Sequence, residues 1–351
     1  MPLILAALSG WGMNAGARGF GVHAGLDLPP MAEPETYAYL GPAGTFTEMA
    51  LRQVPEAAGR EWVPVRNVPE AIRQVTDGKS IGAMIAIENS IEGGVTASQD
   101  ALASVPGLRI RAEVVVPISF SLAVRGGLTL ADVRTVAAHP VAYGQCRQWL
   151  DEHVPHHEHL PATSNVSSAE ALTTENPVAD AAITTPLIRE HLDVEIAASG
   201  IHDHENARTR FVLVSLDQSL PKRTGSDKTS LIVDLPEDRP GALLELLEQF
   251  SARGINLSMI SSRPIPDSPG RYRFVLDLDG HFEDARVRDA LLGVHRLSPR
   301  VVFLGSYPAA EAAAGSSDAV HGDERYRAAV QWLRSLVPDA DPASIIPPSL
   351  G

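Results

Sequence analysis

Residues 37–48 read YAYLGPAGTFTE, and this short stretch decides the fold class. Tyr37 to Leu40 is a compact apolar run of strand character. Gly41-Pro42-Ala43-Gly44 breaks it, and Thr45 with Glu48 three residues later forms the signature of a capped helix start. A strand that passes through a glycine-rich break into a helix opens an α/β unit. The rhythm repeats downstream. Pro69 and Gly78 bracket a helix with Ile72 and Val75 on one face. Residues 81–87 form a buried strand ending in Glu88-Asn89-Ser90, and polar groups at a strand's carboxyl end lie where open α/β sheets bind ligands. Further strands are expected near 114–116, 120–124, 135–138, 179–185 and 209–215, with helices opened by Pro140 and by Ser167 with Glu170.

A second pattern follows residues 217–228, a linker of Gln, Ser, Pro, Lys, Gly and Asp. Residues 229–235 read as a strand, and Leu243, Leu246, Leu247 and Phe250 mark one face of a helix. Strands over 255–263 and 272–279 come next, then a helix carrying Val287, Ala290, Leu291 and Val294, then a strand over 301–304. The order βαββαβ defines a ferredoxin-like domain over 229–306, after an α/β domain over 37–216. Residues 1–36 read as a flexible tail, with Met31 as a second possible start. Residues 307–351 read as a C-terminal tail whose short helix places Tyr326, Val330, Leu333 and Val337 in one stripe.

Composition sets outer limits. The 351 residues carry 29 Lys and Arg against 43 Asp and Glu, a net charge of −14, with 44% hydrophobic residues. This describes a globular chain of two or three domains. No basic block offers the footprint that nucleic acid or an anionic membrane requires. No apolar run approaches the ~20 residues that span a bilayer, and no basic segment precedes the apolar start as in a secretory signal. A cytoplasmic protein is expected. The single cysteine, Cys146, excludes an internal disulfide and reads as a buried small hydrophobe in a reducing compartment.

Three segments, GPAGTFTE over 41–48, IENSIEGGV over 87–95 and NARTRF over 206–211, together resemble bacterial prephenate dehydratases. Gly241-Ala242-Leu243, Ile255-Asn256-Leu257 and Ser262-Arg263-Pro264 resemble the ACT regulatory domain that follows the catalytic domain in that family. The resemblance implies two α/β lobes of the type II periplasmic-binding kind, with substrate between them, and a chain that crosses near Pro117 and returns near Ile201. It also implies loss of water and CO2 from prephenate to give phenylpyruvate, for phenylalanine synthesis. Because the ring becomes aromatic, the driving force lies in the substrate. Orientation of two anions and help for a departing hydroxide suffice, so no metal or cofactor is expected.

Residue by residue, the resemblance assigns the departing hydroxyl to Thr209, which donates a hydrogen bond rather than a free proton. Glu88, Asn89 and Ser90 complete the catalytic set. Thr45, Ser164, Asn165, Arg210 and Phe211 are candidate substrate-binding residues. Arg210 has two readings, because strand alternation points it away from Thr209 and Phe211: a carboxylate ligand at a bend, or a structural ion-pair residue. His139 and Gln145 line the cleft or pack the lobes. Phenylalanine is the expected effector, bound at Gly241, Ala242, Leu243, Asn256, Leu257 and Arg263 between paired ACT domains of a homodimer or homotetramer. Ser261 stands where the family usually has glutamate.

Two other readings of the whole remain open: dehydration of arogenate, the amino analogue, and a non-catalytic two-lobed sensor fused to an ACT domain. His153, His156, His157 and His159 lack paired ligand spacing and read as a solvated loop rather than a metal site. His202 and His204, flanking Asp203, read as a surface hinge.

Overall fold

The computed structural model describes residues 35–311, apart from 238, 266, 267 and 269, together with residues 323–336. The expected tail over 1–36 lies outside the described residues as far as residue 34, and Thr36 already belongs to the first strand. Val337 of the expected C-terminal stripe also lies outside them.

The first lobe opens with β1 (Thr36–Leu40), β2 (Glu61–Val65), β3 (Gly82–Asn89), the two-residue β4 (Gly93–Gly94) and β5 (Arg109–Pro117). The chain then crosses to the second lobe, which holds β6 (Ser121–Val124), β7 (Thr135–Ala138), β8 (Glu158–Pro161), β9 (Ala181–Thr184) and β10 (Glu195–Ser199). It returns as β11 (Arg208–Ser215), which inserts between β3 and β5. The sheets run β2-β1-β3-β11-β5, with β4 on β3, and β10-β6-β9-β7-β8. Two mixed sheets joined by two crossings form the two-lobed α/β architecture expected from the sequence.

Helices α1 (Phe46–Leu51), α2 (Val68–Thr76) and α3 (Thr96–Ser104) cover the first sheet; α4 (Pro140–Gln145), α5 (Arg147–His153) and α6 (Asn165–Glu170) serve the second. Of the strands that the pattern did not announce, β4 is only two residues long, and β2, β8 and β10 are all sheet edges. Their sequences EWVPV, EHLP and EIAAS carry the charges and prolines that protect edges and erase an apolar run. Helix α6 also starts earlier than its expected cap. Ser164 is the N-cap, in a reciprocal box with Ser167, so Ser167 and Glu170 lie inside the helix.

The ACT domain comprises β12 (Asp227–Asp234), α7 (Ala242–Ser251), β13 (Leu257–Pro264), β14 (Tyr272–Asp279), α8 (Ala285–Leu297) and β15 (Arg300–Pro308), in sheet order β13-β14-β12-β15. Helix α9 (Asp323–Leu336) follows. One sheet face buries Leu231, Val233, Phe274 and Leu276 against Leu246, Phe250, Val287 and Val294 of α7 and α8. The other presents Ile232, Met259, Val275, Leu304 and Tyr307 to Ile85, Ile110, Val212 and Val214 of the first lobe. The regulatory-type domain thus shares a core with the catalytic sheet, and the chain uses β11 as the floor of both.

Candidate active site

The carboxyl end of β1 runs into Gly44, which meets the second lobe where Thr185 follows β9. Gly44, with φ of +92°, places its backbone where a β-carbon would come within 3.3–3.6 Å of His191, Val166 and Ile188 of the second lobe. Thr185 Oγ1 donates to the Gly44 carbonyl at 2.5 Å. Glu48 Oε2 accepts from Gly44 N at 2.5 Å and lies 3.2 Å from His191 Nε2. Arg52 then spans Glu48 at 2.6 Å and Glu190 at 2.7 Å. The rings of Phe46 and Phe120 meet edge to face at 5.5 Å. These contacts fasten the lobes at α1.

Beside this seam, β11 pairs with β3 so that Thr209 lies opposite Asn89. Asn89 Nδ2 donates to Thr209 Oγ1 at 2.9 Å, and Asn89 Oδ1 accepts from the backbone N–H of Ile91 and Glu92 at 2.8 and 3.2 Å. The loop after β3 therefore fixes the amide, and the amide fixes the threonine. Ser90 pairs with the same strand by its backbone, Ser90 N to Arg208 O at 2.9 Å, and its Oγ accepts from Arg208 N at 2.9 Å. That hydroxyl fastens a strand end. An open cavity of about 530 Å³ lies against Ser90, Ile91 and residues 203–207 of the return crossing.

Arg210, Phe211 and Glu88 require correction as cleft residues. Phe211 is buried among Tyr39, Leu51, Val54 and Met84, in the core beneath α1. Arg210 projects from the opposite sheet face, where its side chain is 8% exposed and ion-paired to Glu113 and, at 2.5 Å, to Asp277 of the ACT domain. Its Nη2 donates to Tyr307 Oη at 3.0 Å. Strand alternation is the cause, and of the two readings of Arg210 the ion pair is the one found. Glu88 pairs with Arg210 in the ladder and lies 3.6 Å from it, on the face away from Thr209. Burial opposes ionisation of Glu113, yet Arg210, Lys228 and the N–H of Ala310 together hold its carboxyl below the usual glutamate range.

Thr45 caps α1, accepting from Glu48 N at 3.4 Å while donating to Leu40 O at 3.0 Å. The carboxylate at this helix start is Glu48's own, so the first lobe's expected anion site is occupied from within. The second lobe differs. Ser164 is engaged in its cap, but Asn165 Oδ1, Gln145 Oε1 and Thr184 Oγ1 are buried without a hydrogen-bond partner. Thr184 ends β9, one residue before the Thr185 that bonds Gly44 across the lobes, while Asn165 opens α6 and Gln145 ends α4. Thr184 and Thr185 went unnoticed in the sequence, although two threonines closing the apolar run 181–183 repeat the signal of Glu88-Asn89-Ser90.

Of the candidate effector residues, Gly241 adopts φ +88° before α7, Ala242 is buried and Leu243 packs on the ACT core. Asn256 Nδ2 donates to Asp279 at 2.8 Å, and Leu257 begins β13. Ser261 Oγ donates to Gln99 Oε1 of α3 at 3.1 Å, and Arg263 approaches Asp100 at 3.6 Å, so β13 also touches the catalytic domain. Among the described residues no group of three or more His, Cys, Asp or Glu is arranged to hold a metal. Three of the four histidines expected in a solvated loop have partners: His157 meets Tyr143 Oη at 2.9 Å, His159 stacks on Tyr143 and His153 on Trp149, while His156 is exposed. Asp203 accepts from Gln148 N and Trp149 N at the start of α5, which makes the hinge an anchored one. No described helix is long and apolar enough to cross a membrane.

Two facing α/β lobes, a polar edge between them and an appended ferredoxin-like domain define a two-lobed cleft enzyme of the ACT-regulated kind. Residues 37–219 match the prephenate dehydratase family model and residues 229–296 the ACT domain model. The chain belongs to the prephenate dehydratase family, and it is a lyase that dehydrates and decarboxylates prephenate. The prephenate dehydratase of Mycobacterium marinum is 41% identical over 319 residues, 89% of this chain and 98% of that protein. The crystal structure of prephenate dehydratase in complex with L-Phe from Arthrobacter aurescens matches with a TM-score of 0.82 and 46% identity, covering 86% of this chain and 99% of that one. GqqA, described as a novel type of quorum quenching acylase, matches with a TM-score of 0.70 and 28% identity, covering 78% of this chain and 98% of that one.

Proposed function

We propose that Thr209 and Asn89 act together on the departing hydroxyl of prephenate. The observation that carries this reading is the 2.9 Å bond from Asn89 Nδ2 to Thr209 Oγ1, which occupies a lone pair and leaves the hydroxyl hydrogen available to the cleft. As the ring carboxylate leaves as CO2, the C–O bond breaks and hydroxide departs hydrogen-bonded to Thr209, taking its proton from solvent. A fixed donor at the atom where negative charge develops is the most effective form of such assistance. On the second lobe the side-chain oxygens of Asn165, Gln145 and Thr184 are buried without a hydrogen-bond partner, and an amide NH2 such as that of Asn165 is suited to a substrate carboxylate.

The test follows phenylpyruvate formation from prephenate by wild type and Thr209→Ala, with arogenate as a control. Loss of turnover in the variant supports the reading, and full turnover removes it.

The same reading extends to regulation. Phenylalanine, the ligand of the Arthrobacter aurescens structure, binds near Gly241–Leu243 and Asn256–Leu257 where two ACT domains pair, in a cytoplasmic homodimer or homotetramer. Such control requires different affinities for two states. A velocity unchanged across millimolar phenylalanine, with no change in oligomer size, would remove it.

A further inference from the structure

We infer that the ACT domain supplies positioning residues to the catalytic strand: Asp277 and Tyr307 hold Arg210, and through it Thr209. The inference rests on the assignment of Thr209 to the departing hydroxyl.

Three observations converge on it. Thr209 is flanked in β11 by two arginines, and each is held by an acid from the C-terminal half of the chain, Arg208 by Glu311 and Arg210 by Asp277. The catalytic pair also has a counterpart across the sheet. Asn89 and Thr209 face each other in one ladder position, and Glu88 and Arg210 occupy the next, on the ACT side. Finally, the ladder shifts register between Arg210 and Phe211, so regular pairing to β3 lapses one residue beyond Thr209. The extra residue there is Ile87 of β3, while β11 keeps its regular pairing to β5. A bulge bends its strand and increases the local twist, so the Arg210 anchor beside it sets how the two strands meet at Asn89 and Thr209.

The anchor is built to be rigid. A buried guanidinium is costly unless its charge and its donors are all met. Arg210 meets Glu113 through Nε, Asp277 through Nη1 and Tyr307 through Nη2, and Ser230 bonds both Asp277 and Tyr307 behind them. Lys228 of the ACT domain adds a 2.8 Å bond to Glu113. Arg210 and Lys228 are thus set against Glu113 and Asp277, with the partly exposed Glu88 3.6 Å from Arg210. Burial opposes the charged guanidinium, but Asp277, Tyr307 and Glu113 outweigh it and hold the proton firmly. A buried network in which Glu113, Asp277 and Tyr307 each hold Arg210 and a second partner favours one arrangement, and a small displacement of the reacting group is expensive in rate.

Tyr307→Phe and Asp277→Asn in the full chain, assayed with prephenate alone, test the inference. Both should lower kcat, Asp277→Asn about tenfold and Tyr307→Phe less, with KM unchanged within about twofold. Combining Tyr307→Phe with Thr209→Ser should give less than the product of the single losses, because both act on one hydroxyl. A folded Tyr307→Phe or Asp277→Asn protein with wild-type kcat overturns the inference, as does strict multiplicativity in the double variant. Should Asp277→Asn fail to fold, Tyr307→Phe, which keeps the ring, decides alone. Full turnover in Thr209→Val would instead overturn the assignment of Thr209 on which the inference rests.

Discussion

Asn89 and Thr209 sit directly opposite each other on neighbouring strands, and the amide of one donates to the hydroxyl of the other at 2.9 Å. The geometry sets the hydroxyl's role. Its oxygen is already an acceptor, and the threonine is 7% exposed, so its one hydrogen has few places to go. A hydroxyl with its acceptor side engaged in a nearly dry site is a directed donor. A threonine on an ordinary strand would rotate freely.

Removing that donor should be costly in rate and cheap in binding. Thr209→Val keeps the shape and should lower kcat about 10²-fold, the usual loss when one donor to a developing oxyanion is deleted, with KM little changed. Thr209→Ser should retain much of the activity. Asn89→Asp should fall between them, because its carboxylate cannot donate to Thr209. Steady-state kinetics on prephenate separates these outcomes.

Much of this was legible in the sequence, and what was not has physical causes. The α/β rhythm, the βαββαβ order and the segment around Thr209 are local patterns and could be read directly. Arg210 was legible only as a choice, because alternation gave its direction while its partner Asp277 lies 67 positions along the chain in another domain. The edges β2, β8 and β10 were missed because edge protection removes the apolar signal. Thr45 with Glu48 was legible as a helix cap, but not that Glu48 would reach past Thr45 to the Gly44 N–H and fill the expected anion site.

Arg52 predicts how the lobes behave. It joins Glu48 of α1 to Glu190 of the second lobe, at 2.6 and 2.7 Å. Partly exposed ion pairs add little to stability, so Arg52→Met should change the melting temperature only slightly. Loosening the lobes should instead raise KM for prephenate several-fold, with a smaller change in kcat. A wild-type KM in a folded Arg52→Met protein would show that the lobes are fixed by the remaining contacts of Gly44, Phe46 and Glu48.

Glu113 sets the acid limit of the domain junction. Its folded pKa is depressed below its unfolded value, so its pairing stabilises the folded chain above the normal glutamate range and is lost as pH falls through the folded value. The melting temperature should therefore decline below about pH 5 and continue to decline into strongly acid solution. Glu113→Gln leaves Arg210 and Lys228 short of a carboxylate, which should cost about 3–5 kcal/mol at neutral pH. It should also flatten the acid decline. Calorimetry from pH 7 to 3 distinguishes this from a loss independent of pH.

Cys146 is fully buried, and burial followed by the nearby Asp203 raises its thiol pKa above the ordinary range. A thiol held protonated and shielded is a poor nucleophile. A thiol-reactive chromogenic disulfide should label the native protein very slowly and release one equivalent in denaturant, since the chain has one cysteine. Rapid native labelling would place that thiol in a far more open second lobe.

Gly305 offers the cleanest test of how the ACT sheet is seated. It lies in β15 at φ +126°, and a β-carbon there would stand 2.9 Å from the carbonyl oxygen of Ile110 in β5. The two sheets thus approach backbone to backbone at this point, and only glycine satisfies both the dihedral and the distance. Gly305→Ala should cost on the order of 2–4 kcal/mol, combining backbone strain with displacement of packed backbone. Gly59→Ala is the matched control, because Gly59 has φ +74° with nothing within 4 Å of its would-be β-carbon. That variant should lose only about 1–2 kcal/mol. Limited proteolysis adds the location of the damage: if Gly305 is needed to seat the sheet, cleavage should accelerate within residues 217–226 in Gly305→Ala alone. Equal stability losses and equal cleavage in the two variants would mean that the dihedral matters at Gly305 and the close approach to Ile110 does not.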